Sequence, residues 1–336
     1  MRRRTVTMSD VARLAGVSTM TVSNVVNNRV KVSEAARERV LEAIRASGYQ
    51  VNLTARSLRS GRTGVIGVAV PQVGNPYYGM LGALLIDEAH QRGYEVTIGQ
   101  TGALADGEAA AVAQSRWLQV DGLFLSAIEL DPQMPLLADA GFPIVLFGEQ
   151  GAGGRFDHIT LPNEAGAAAA TGHLIDQGCK RIAIVTGSGL DRLNTVTRRY
   201  NGYRAALEDR GLRPDPELRF ALDSLSWDGA REAGRHIAAS GLGVDGVVAF
   251  NDTTAIGVMR GLTDGGASVP GDVRVIGFDG IPVAEQVIPA LSTVAPDHHW
   301  IAARALDLIV GRIADPAAPP RQYTAPFDLV VRESTA

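Results

Sequence analysis

From Gly64 onward, short apolar runs alternate with stretches whose apolar residues recur at helical spacing. Continuous apolar runs predict strands that are buried on both faces, and the helices between them supply the cover. This alternation indicates an α/β fold with parallel, doubly wound sheets. The predicted strands span residues 65–70, 95–101, 122–126, 144–147, 158–161, 181–186, 247–250, 273–278 and 292–294, with helices at 78–91, 107–119, 164–177, 199–210 and 228–239.

This number of strands suits two sheets better than one. A break near residues 161–163 and a return near 293–296 indicate that the chain crosses between two lobes. We therefore expect one lobe to contain residues 63–162 and 294–324, and the other to contain residues 163–293 and 325–336, where 327–332 is strand-like. In such sheets ligands bind at the carboxyl ends of the strands, so a cleft between the lobes is the expected binding site.

The first 62 residues carry a charge opposite to that of the rest of the chain. They hold twelve Arg or Lys against four Asp or Glu, a net charge of +8, whereas the remainder has a net charge of −12. A small cationic module on a larger anionic body is typical of a protein that binds a polyanion with one part only. Charge alone would also fit an ordinary three-helix bundle with a solvated charged face.

Residues 1–50 contain the pattern of a helix-turn-helix. Thr7 and Asp10 form a capping box at the start of a short helix, and Gly16 follows it as a left-handed turn residue. Ser18 then caps a second helix at about 19–27. The residues predicted to face inward on the two helices are Val11, Leu14, Ala15, Val22, Val25 and Val26.

A third helix is predicted at 33–47, with Ser33 as its cap and Gly48 at its end. The exposed face of the second helix is polar, which favours insertion into a DNA groove over the simple bundle. That face consists of Thr19, Met20, Thr21, Ser23, Asn24 and Asn27.

The motifs in this module resemble those of the lactose/galactose repressor (LacI/GalR) family. They are Thr7-Met8-Ser9-Asp10-Val11-Ala12, Ala15-Gly16-Val17-Ser18 and Thr21-Val22-Ser23-Asn24-Val25-Val26-Asn27. The match runs almost without a gap to Leu58 and continues more weakly to the end. The resemblance implies an all-α helix-turn-helix headpiece on a two-lobed core that is similar to periplasmic binding proteins.

The resemblance also implies roles in DNA binding. Thr19, Met20 and Asn24 match base-reading positions on the recognition helix, with Thr21 on the same face. Met20 differs from the polar residue that is often found at this position, so the resemblance does not indicate which base it reads. The positions that match phosphate contacts are Thr7, Ser23, Asn27 and Lys31.

Residues 51–62 are predicted to form a hinge. A helix of this length is marginal in water, so we expect it to form only against a partner. In the family the equivalent segments of two chains enter the minor groove. Leu58 matches the leucine that the family inserts as a wedge between base pairs. Ala55 matches a close-contact position, and Asn52 matches the start of the hinge. A flexible linker with an incidental leucine is the alternative.

Polar and aromatic residues follow the predicted strands of the core. Arg, Asn and Asp offer the geometry that polyols require, and Tyr or Trp can stack on a sugar ring. The resemblance implies effector contacts for Tyr77, Tyr78, Thr195, Arg199, Asn251 and Asp279, and less directly for Glu149 and Trp227. The strand ends add Asn75, Asn194 and Asp252.

These assignments leave some ordinary structural roles open. Tyr77 and Tyr78 could simply begin a helix, and Trp227 could be a core residue. Glu149 follows Gly148, where the family often has Asp.

Other functional classes fit the sequence less well. A solute-binding protein would explain the core but leaves the basic module without a purpose, and no signal peptide is seen. A nucleotide-dependent enzyme would need a third glycine where Arg192 follows Gly187-Ser188-Gly189. We expect no catalytic residues, no cofactor, no bound metal and no membrane partner.

The sequence therefore predicts a cytoplasmic transcription regulator, most simply a repressor. Its expected partners are a pseudo-palindromic double-stranded DNA operator, a second copy of the chain, and a small-molecule effector. The resemblance favours a sugar as the effector, and purines or other metabolites are the alternative. No leucine-heptad tail follows residue 332, so we expect a dimer.

Overall fold

The computed structural model describes residues 6–26, 32–49, 61–129, 131, 135–149, 154–190 and 194–336. These residues form two compact units that divide at residues 63 and 64. The amino-terminal unit contains helices α1 (Met8–Ala15), α2 (Thr19–Val26) and α3 (Glu34–Ser47). The larger unit contains two six-stranded sheets.

The turn between α1 and α2 has the predicted caps. Thr7 Oγ1 accepts from the Asp10 N–H at 3.3 Å, and Asp10 Oδ2 accepts from the Thr7 N–H at 3.0 Å. Gly16 has a φ of 64°, the left-handed conformation that glycine adopts without a steric penalty. Ser18 Oγ accepts from the Thr21 N–H at 3.1 Å. The prediction of a helix-turn-helix is confirmed.

Two details of this unit differ from the predictions. Leu14, which was predicted to face inward, is 59% exposed, and Ala12 is buried instead. Ser33 precedes α3, but its side chain makes no capping hydrogen bond. The core of the unit therefore depends on small and β-branched residues, chiefly Val11, Val22 and Val40.

The first sheet of the larger unit has the order β11-β5-β4-β3-β1-β2 and is parallel throughout. Its strands are β1 (Val65–Val70), β2 (Glu95–Gln100), β3 (Gly122–Ser126), β4 (Ile144–Phe147), β5 (Asp157–Thr160) and β11 (Gln322–Thr324). Helices α4 (Pro76–Gln91), α5 (Ala105–Trp117) and α6 (Pro135–Ala138) connect them. The central strands are fully buried, as their apolar runs require.

The second sheet has the order β12-β10-β9-β8-β6-β7, and only β12 runs antiparallel to its neighbour. Its strands are β6 (Ile182–Gly187), β7 (Arg219–Leu222), β8 (Gly246–Ala249), β9 (Arg274–Phe278), β10 (Ser292–Pro296) and β12 (Phe327–Val330). Its helices are α7 (Asn163–Asp176), α8 (Thr195–Asp209), α9 (Trp227–Ala239) and α10 (Asp252–Asp264), with single 3₁₀ turns at Pro216–Leu218, Pro282–Glu285 and Glu333–Thr335.

The chain passes between the sheets more than once. After β5 it enters α7, which packs on the second sheet, and after β10 it enters α11 (His298–Ala314), which packs on β3, β4 and α4. β11 then joins the first sheet and β12 the second. β10 remains in the second sheet to Pro296, past the predicted boundary at residue 294. These crossings bring the carboxyl ends of both sets of strands together.

Candidate functional site

The face of α2 that is predicted to bind DNA is exposed at its first two residues and half-buried beyond them. Met20 is 67% exposed and Thr19 is exposed, whereas Ser23 and Asn24 are half-buried. The Thr21 hydroxyl lies 2.9 Å from Ser18 Oγ and is engaged in the cap. These side chains lie on a surface that a major groove could accept, and their contacts with DNA stay predictions.

One other predicted DNA contact, Thr7, is already hydrogen-bonded within the protein, and the rest lie outside the described residues. The Thr7 hydroxyl donates to Asp10 Oδ2 at 2.7 Å, so it is already used within the capping box. The predicted contacts Asn27, Lys31, Asn52, Ala55 and Leu58, and almost all of the predicted hinge 51–62, lie outside the described residues.

In the larger unit, Arg199 lies at the centre of a buried polar cluster. Its position one turn into α8 places the guanidinium at the carboxyl ends of β8 and β9. Nε donates to Asn163 Oδ1 at 2.8 Å, Nη1 donates to the Phe250 carbonyl oxygen, and Nη2 donates to Asp279 Oδ1 at 3.4 Å. The guanidinium carbon lies 3.6 Å from the centroid of the Phe278 ring. Among the described residues these bonds use three of the five guanidinium N–H groups, which leaves two for a ligand.

Asp279 is held beside Arg199 in an unusual backbone conformation. Its φ is 114°, a region that residues with a side chain seldom adopt and that often marks a functional site. Its N–H donates to the Val294 carbonyl oxygen at 2.9 Å, and its own carbonyl oxygen accepts from His298 Nε2 at 2.5 Å. Burial raises the pKa of the Asp279 carboxyl to about 6, and the charge of Arg199 limits that rise.

The charge of Arg199 is affected by the same burial. Desolvation lowers the pKa of its guanidinium, and the carboxylate of Asp279 counteracts this. Arg199 remains a cation at neutral pH because an arginine is not deprotonated in a protein. Arg199 and Asp279 therefore form a buried ion pair at the carboxyl ends of β8 and β9.

Two tyrosines at the start of α4 lie next to this pair. Asn75 caps the helix by accepting from the Tyr77 N–H at 2.9 Å. The rings of Tyr77 and Tyr78 meet edge to face at 5.1 Å, and the Tyr77 ring meets His298 in the same way at 5.5 Å. Burial raises the pKa of Tyr78 to about 12 and that of Tyr77 well above its usual value, so both hydroxyls stay protonated.

Glu149 joins the two lobes. It follows β4 of the first sheet, where Gly148 has a φ of 115°, a conformation that favours glycine. Its carboxylate is buried, forms an ion pair with Arg198 Nε, and accepts from Asn163 Nδ2 at 2.5 Å. Arg198 and Asn163 belong to α8 and α7 of the second lobe. The structure thus brings Glu149 to the edge of the Arg199 cluster through Asn163.

The remaining predicted contacts are placed less directly. Asn251 Oδ1 caps α10 by accepting from the N–H and the hydroxyl of Thr254, so only its amide nitrogen is free for a ligand. Thr195 is half-buried at the start of α8, which the side chain of Asn194 caps. Trp227 begins α9 and is 45% exposed, which excludes the core role. No contact in the described part of the chain joins Trp227 to Arg199.

Asp252, which the sequence places at a strand end, is bonded to other groups of the protein core. It is fully buried, accepts from the Thr293 hydroxyl at 2.5 Å and accepts from the Ile281 N–H at 2.8 Å. Burial raises the pKa of its carboxyl to about 8, with a further rise from Asp279.

Three residues of the cluster were missed from the sequence. Asn163 is the bridge between Arg199 and Glu149, Phe278 stacks on the guanidinium, and His298 fixes the Asp279 carbonyl group. No functional role was predicted for His298 from the sequence. The one signal for it was its place directly after a strand of the second sheet, the rule that identified the other residues.

Within the described ranges, no three His, Cys, Asp or Glu side chains are grouped so that they could hold a metal ion. Nor does any helix of those ranges have the length and apolar character needed to cross a membrane.

Comparison with known proteins gives consistent results. Residues 7–52 match the family model for bacterial regulatory proteins of the lacI family, and residues 171–335 match the periplasmic binding protein-like domain. The ribose operon repressor of Halalkalibacterium halodurans is 30% identical over 331 residues, which cover 98% of this chain and 97% of that protein.

Two solved structures are similar over nearly the whole chain. A lac repressor dimer bound to operator and the anti-inducer ONPF has a TM-score of 0.83 and 25% identity, and the match covers 99% of each chain. A complex of the transcriptional regulator CelR with cellobiose has a TM-score of 0.72 and 28% identity, covering 98% of this chain and 99% of that one.

Proposed function

This chain belongs to the lacI family of bacterial regulatory proteins, and on that premise we propose that it is a ligand-controlled repressor that binds a pseudo-palindromic operator as a dimer. The observation that carries the proposal is the presence, on one chain, of a capped helix-turn-helix and a buried polar cluster at the strand ends of a two-lobed core. A solute-binding protein would account for the core alone, whereas a regulator accounts for the core and the helix-turn-helix together.

The DNA-binding half of the proposal rests on the amino-terminal unit. Its net charge is positive, and the exposed Thr19 and Met20 lie at the first turn of α2, where recognition helices contact bases. The lac repressor with which the chain aligns was solved as a dimer on its operator. We infer that two copies of this chain read two half-sites in the same way.

The effector half rests on the cluster around Arg199. The two remaining guanidinium N–H groups and the second oxygen of Asp279 can bind hydroxyl groups, and Tyr77 and Tyr78 can cover a sugar ring. CelR was solved with cellobiose, and the Halalkalibacterium halodurans relative represses a ribose operon. A sugar is therefore the proposed effector class.

The proposed mechanism couples the cleft to the hinge. Glu149 of the first lobe pairs with Arg198 of the second, so the angle between lobes depends on contacts that a ligand in the cleft would alter. A change of that angle would move the starts of the two hinges in the dimer and shift residues 51–62 between helix and coil. A difference of about 1–3 kcal/mol between the two states suffices for control.

The experiment that tests the proposal uses the full chain. Selection from random duplexes should enrich a palindromic sequence, and its affinity should exceed that for random DNA by about 10³-fold or more at fixed salt. Adding the effector found in a screen of sugars and nucleobases should then change the operator affinity. Equal affinity for all duplexes, with and without every compound, would remove the proposal.

A further inference from the structure

Two buried polar atoms beside the Arg199–Asp279 pair have no hydrogen-bond partner among the described residues. They are the hydroxyl of Tyr77 and Nδ1 of His298, on side chains that are only 5% and 8% exposed. A buried polar group without a partner costs about 1–3 kcal/mol, so each of these two atoms calls for a hydrogen-bonding group that the described residues do not supply. Here two of them lie on rings whose centroids are 5.5 Å apart.

The chemistry of the two atoms is complementary. The Asp279 carbonyl oxygen can only accept, so the 2.5 Å contact with His298 requires that Nε2 carries the ring proton. Burial lowers the pKa of His298 and keeps the ring neutral, which leaves Nδ1 as an acceptor. The Tyr77 hydroxyl stays protonated and is a donor. One alcohol group can accept from Tyr77 and donate to His298 at the same time.

The two residues reach the cleft from different parts of the core. Tyr77 lies in the first turn of α4, after the first strand of the first sheet. His298 begins α11, directly after β10 of the second sheet, and its ring bonds to the backbone at the end of β9. A ligand group between them would therefore touch both lobes.

The charges next to this pair exclude one class of ligand. Arg199 is paired with Asp279, and Arg198 is paired with Glu149, so the described cluster has no unpaired cation. A phosphate or carboxylate placed here would meet a guanidinium whose charge Asp279 already balances, and it would lie beside that carboxylate, so its desolvation would be costly.

We propose that Tyr77 and His298 together bind one hydroxyl group of a neutral polyol, as donor and acceptor respectively, and thereby select uncharged sugars over phosphorylated or acidic ones. This inference rests on the proposed function, because it assigns the chemical class of the effector. Nothing in the headpiece enters it.

The first test is Tyr77→Phe in the full chain. It removes an unpartnered hydroxyl, so thermal stability without ligand should stay equal or rise slightly. The affinity for the best-binding probe among D-ribose, D-glucose and cellobiose, measured by calorimetry, should fall about 5- to 20-fold.

The matched control is Tyr203→Phe. The Tyr203 hydroxyl donates to the Ile182 carbonyl oxygen at 2.7 Å in the core, so its loss should lower stability and leave the affinity for the sugar unchanged. The opposite pattern in the two variants would overturn the assignment.

The second variant is His298→Gln. The glutamine amide can donate to the Asp279 carbonyl group as Nε2 does, but it offers no acceptor at the position of Nδ1. Stability should be retained while affinity for the sugar falls by a similar factor. Unchanged sugar affinity in both Tyr77→Phe and His298→Gln would refute the proposal.

The ligand class is tested with pairs of probes on the wild-type protein: D-ribose against D-ribose 5-phosphate, and D-glucose against D-glucose 6-phosphate and D-gluconate. We expect a neutral sugar to bind at least tenfold more tightly than its charged counterpart. Tighter binding of a charged probe, or no binding of any neutral sugar, overturns the inference.

Operator selection on the same preparation separates the two proposals. If a palindrome is enriched but no neutral sugar binds, the proposed ligand class is wrong and the proposed regulator function stands. If the sugars bind and Tyr77→Phe weakens that binding, but no duplex is preferred, the proposed regulator function is wrong and the proposed ligand class stands.

Discussion

Arg199 shows how a buried cation can serve both stability and recognition. Its guanidinium bonds to Asn163 and Asp279 and stacks on Phe278, so it is fixed before a ligand arrives. Fixed donors lose little conformational entropy on binding, which favours affinity. The residue type and its place near a strand end were visible in the sequence. Its partner Asn163 was not, because the contact spans 36 positions that no local pattern connects.

We predict that Arg199→Ala abolishes the effector response, measured as the ratio of operator affinities with and without ligand. It should also lower the free energy of unfolding by on the order of 3 kcal/mol, because the buried carboxylate of Asp279 loses its partner. The double variant Arg199→Met with Asp279→Asn should recover most of the stability in denaturant titrations but not the response. A normal response in either variant would remove Arg199 from the site.

A pH effect follows from Asp252. Its pKa of about 8 in the folded protein lies above the ordinary carboxyl value of 3.8, so the folded state holds the proton more tightly than the unfolded chain. The free energy of unfolding should therefore fall as pH rises between those values, by at most about 1.4 kcal/mol per pH unit. Asp279 contributes to this trend only up to about pH 6.

Asp252→Asn should reduce this decline between pH 6.5 and 8.5 in denaturant titrations. The asparagine can still accept from the Ile281 N–H and donate to the Thr293 hydroxyl oxygen, so it resembles the protonated acid. Asp264→Asn is the control. Arg231 holds the pKa of Asp264 below its usual value, so this change should alter the pH dependence of stability only in acid and leave the slope between pH 6.5 and 8.5 unchanged. An unchanged slope in Asp252→Asn would show that the group is ionised.

The helices α9 and α10 pack closely because glycines line their contact. A Cβ on Gly261 would lie 2.0 Å from the Arg231 carbonyl oxygen, and one on Gly234 would lie 2.3 Å from the Val258 carbonyl oxygen. Backbones that approach this closely leave no room for a methyl group. The close backbone approach at these glycines explains why α9 and α10 pack along their length although neither helix is strongly apolar.

Gly261→Ala should therefore lower the free energy of unfolding by about 1–3 kcal/mol, measured by denaturant titration. Gly172→Ala in α7 is the control, since a Cβ there meets nothing within 4 Å. This second change should raise stability by up to about 1 kcal/mol through helix propensity. Equal effects of the two substitutions would show that α9 and α10 can separate at little cost.

The elements that the sequence predicted best are those with continuous apolar runs. The central strands β1, β3 and β4 match their predicted bounds, and β6, β8 and β9 match within one or two residues. β7 and β11 were not predicted. They are short strands at the edges of their sheets. Arg219–Leu222 and Gln322–Thr324 keep accessible side chains and include polar residues, so neither is the fully apolar run that predicted the central strands.

The division of charge along the chain gives the protein two electrostatic parts. The cationic segment of 62 residues attracts DNA without regard to sequence, and this attraction weakens as salt displaces it. We expect specific binding to need base contacts and, as the resemblance implies, the leucine wedge of the hinge. The two contributions should respond differently to substitution and to salt.

Leu58→Gly tests this division, although Leu58 lies outside the described residues. We expect affinity for the palindrome to fall at least tenfold while affinity for random DNA changes little at the same salt concentration, because the wedge carries no charge. Fluorescence anisotropy with both duplexes over a salt series measures this. An equal loss on both duplexes would contradict the wedge.

The last strands of the chain divide between the two lobes, with Gln322–Thr324 at the edge of one sheet and Phe327–Val330 at the edge of the other. Ser334, a few residues later, donates to the Val275 carbonyl oxygen in the interior. A nonsense mutation after residue 321 would therefore remove an edge strand from each of the two sheets. Neither half can therefore be expressed as one uninterrupted gene fragment.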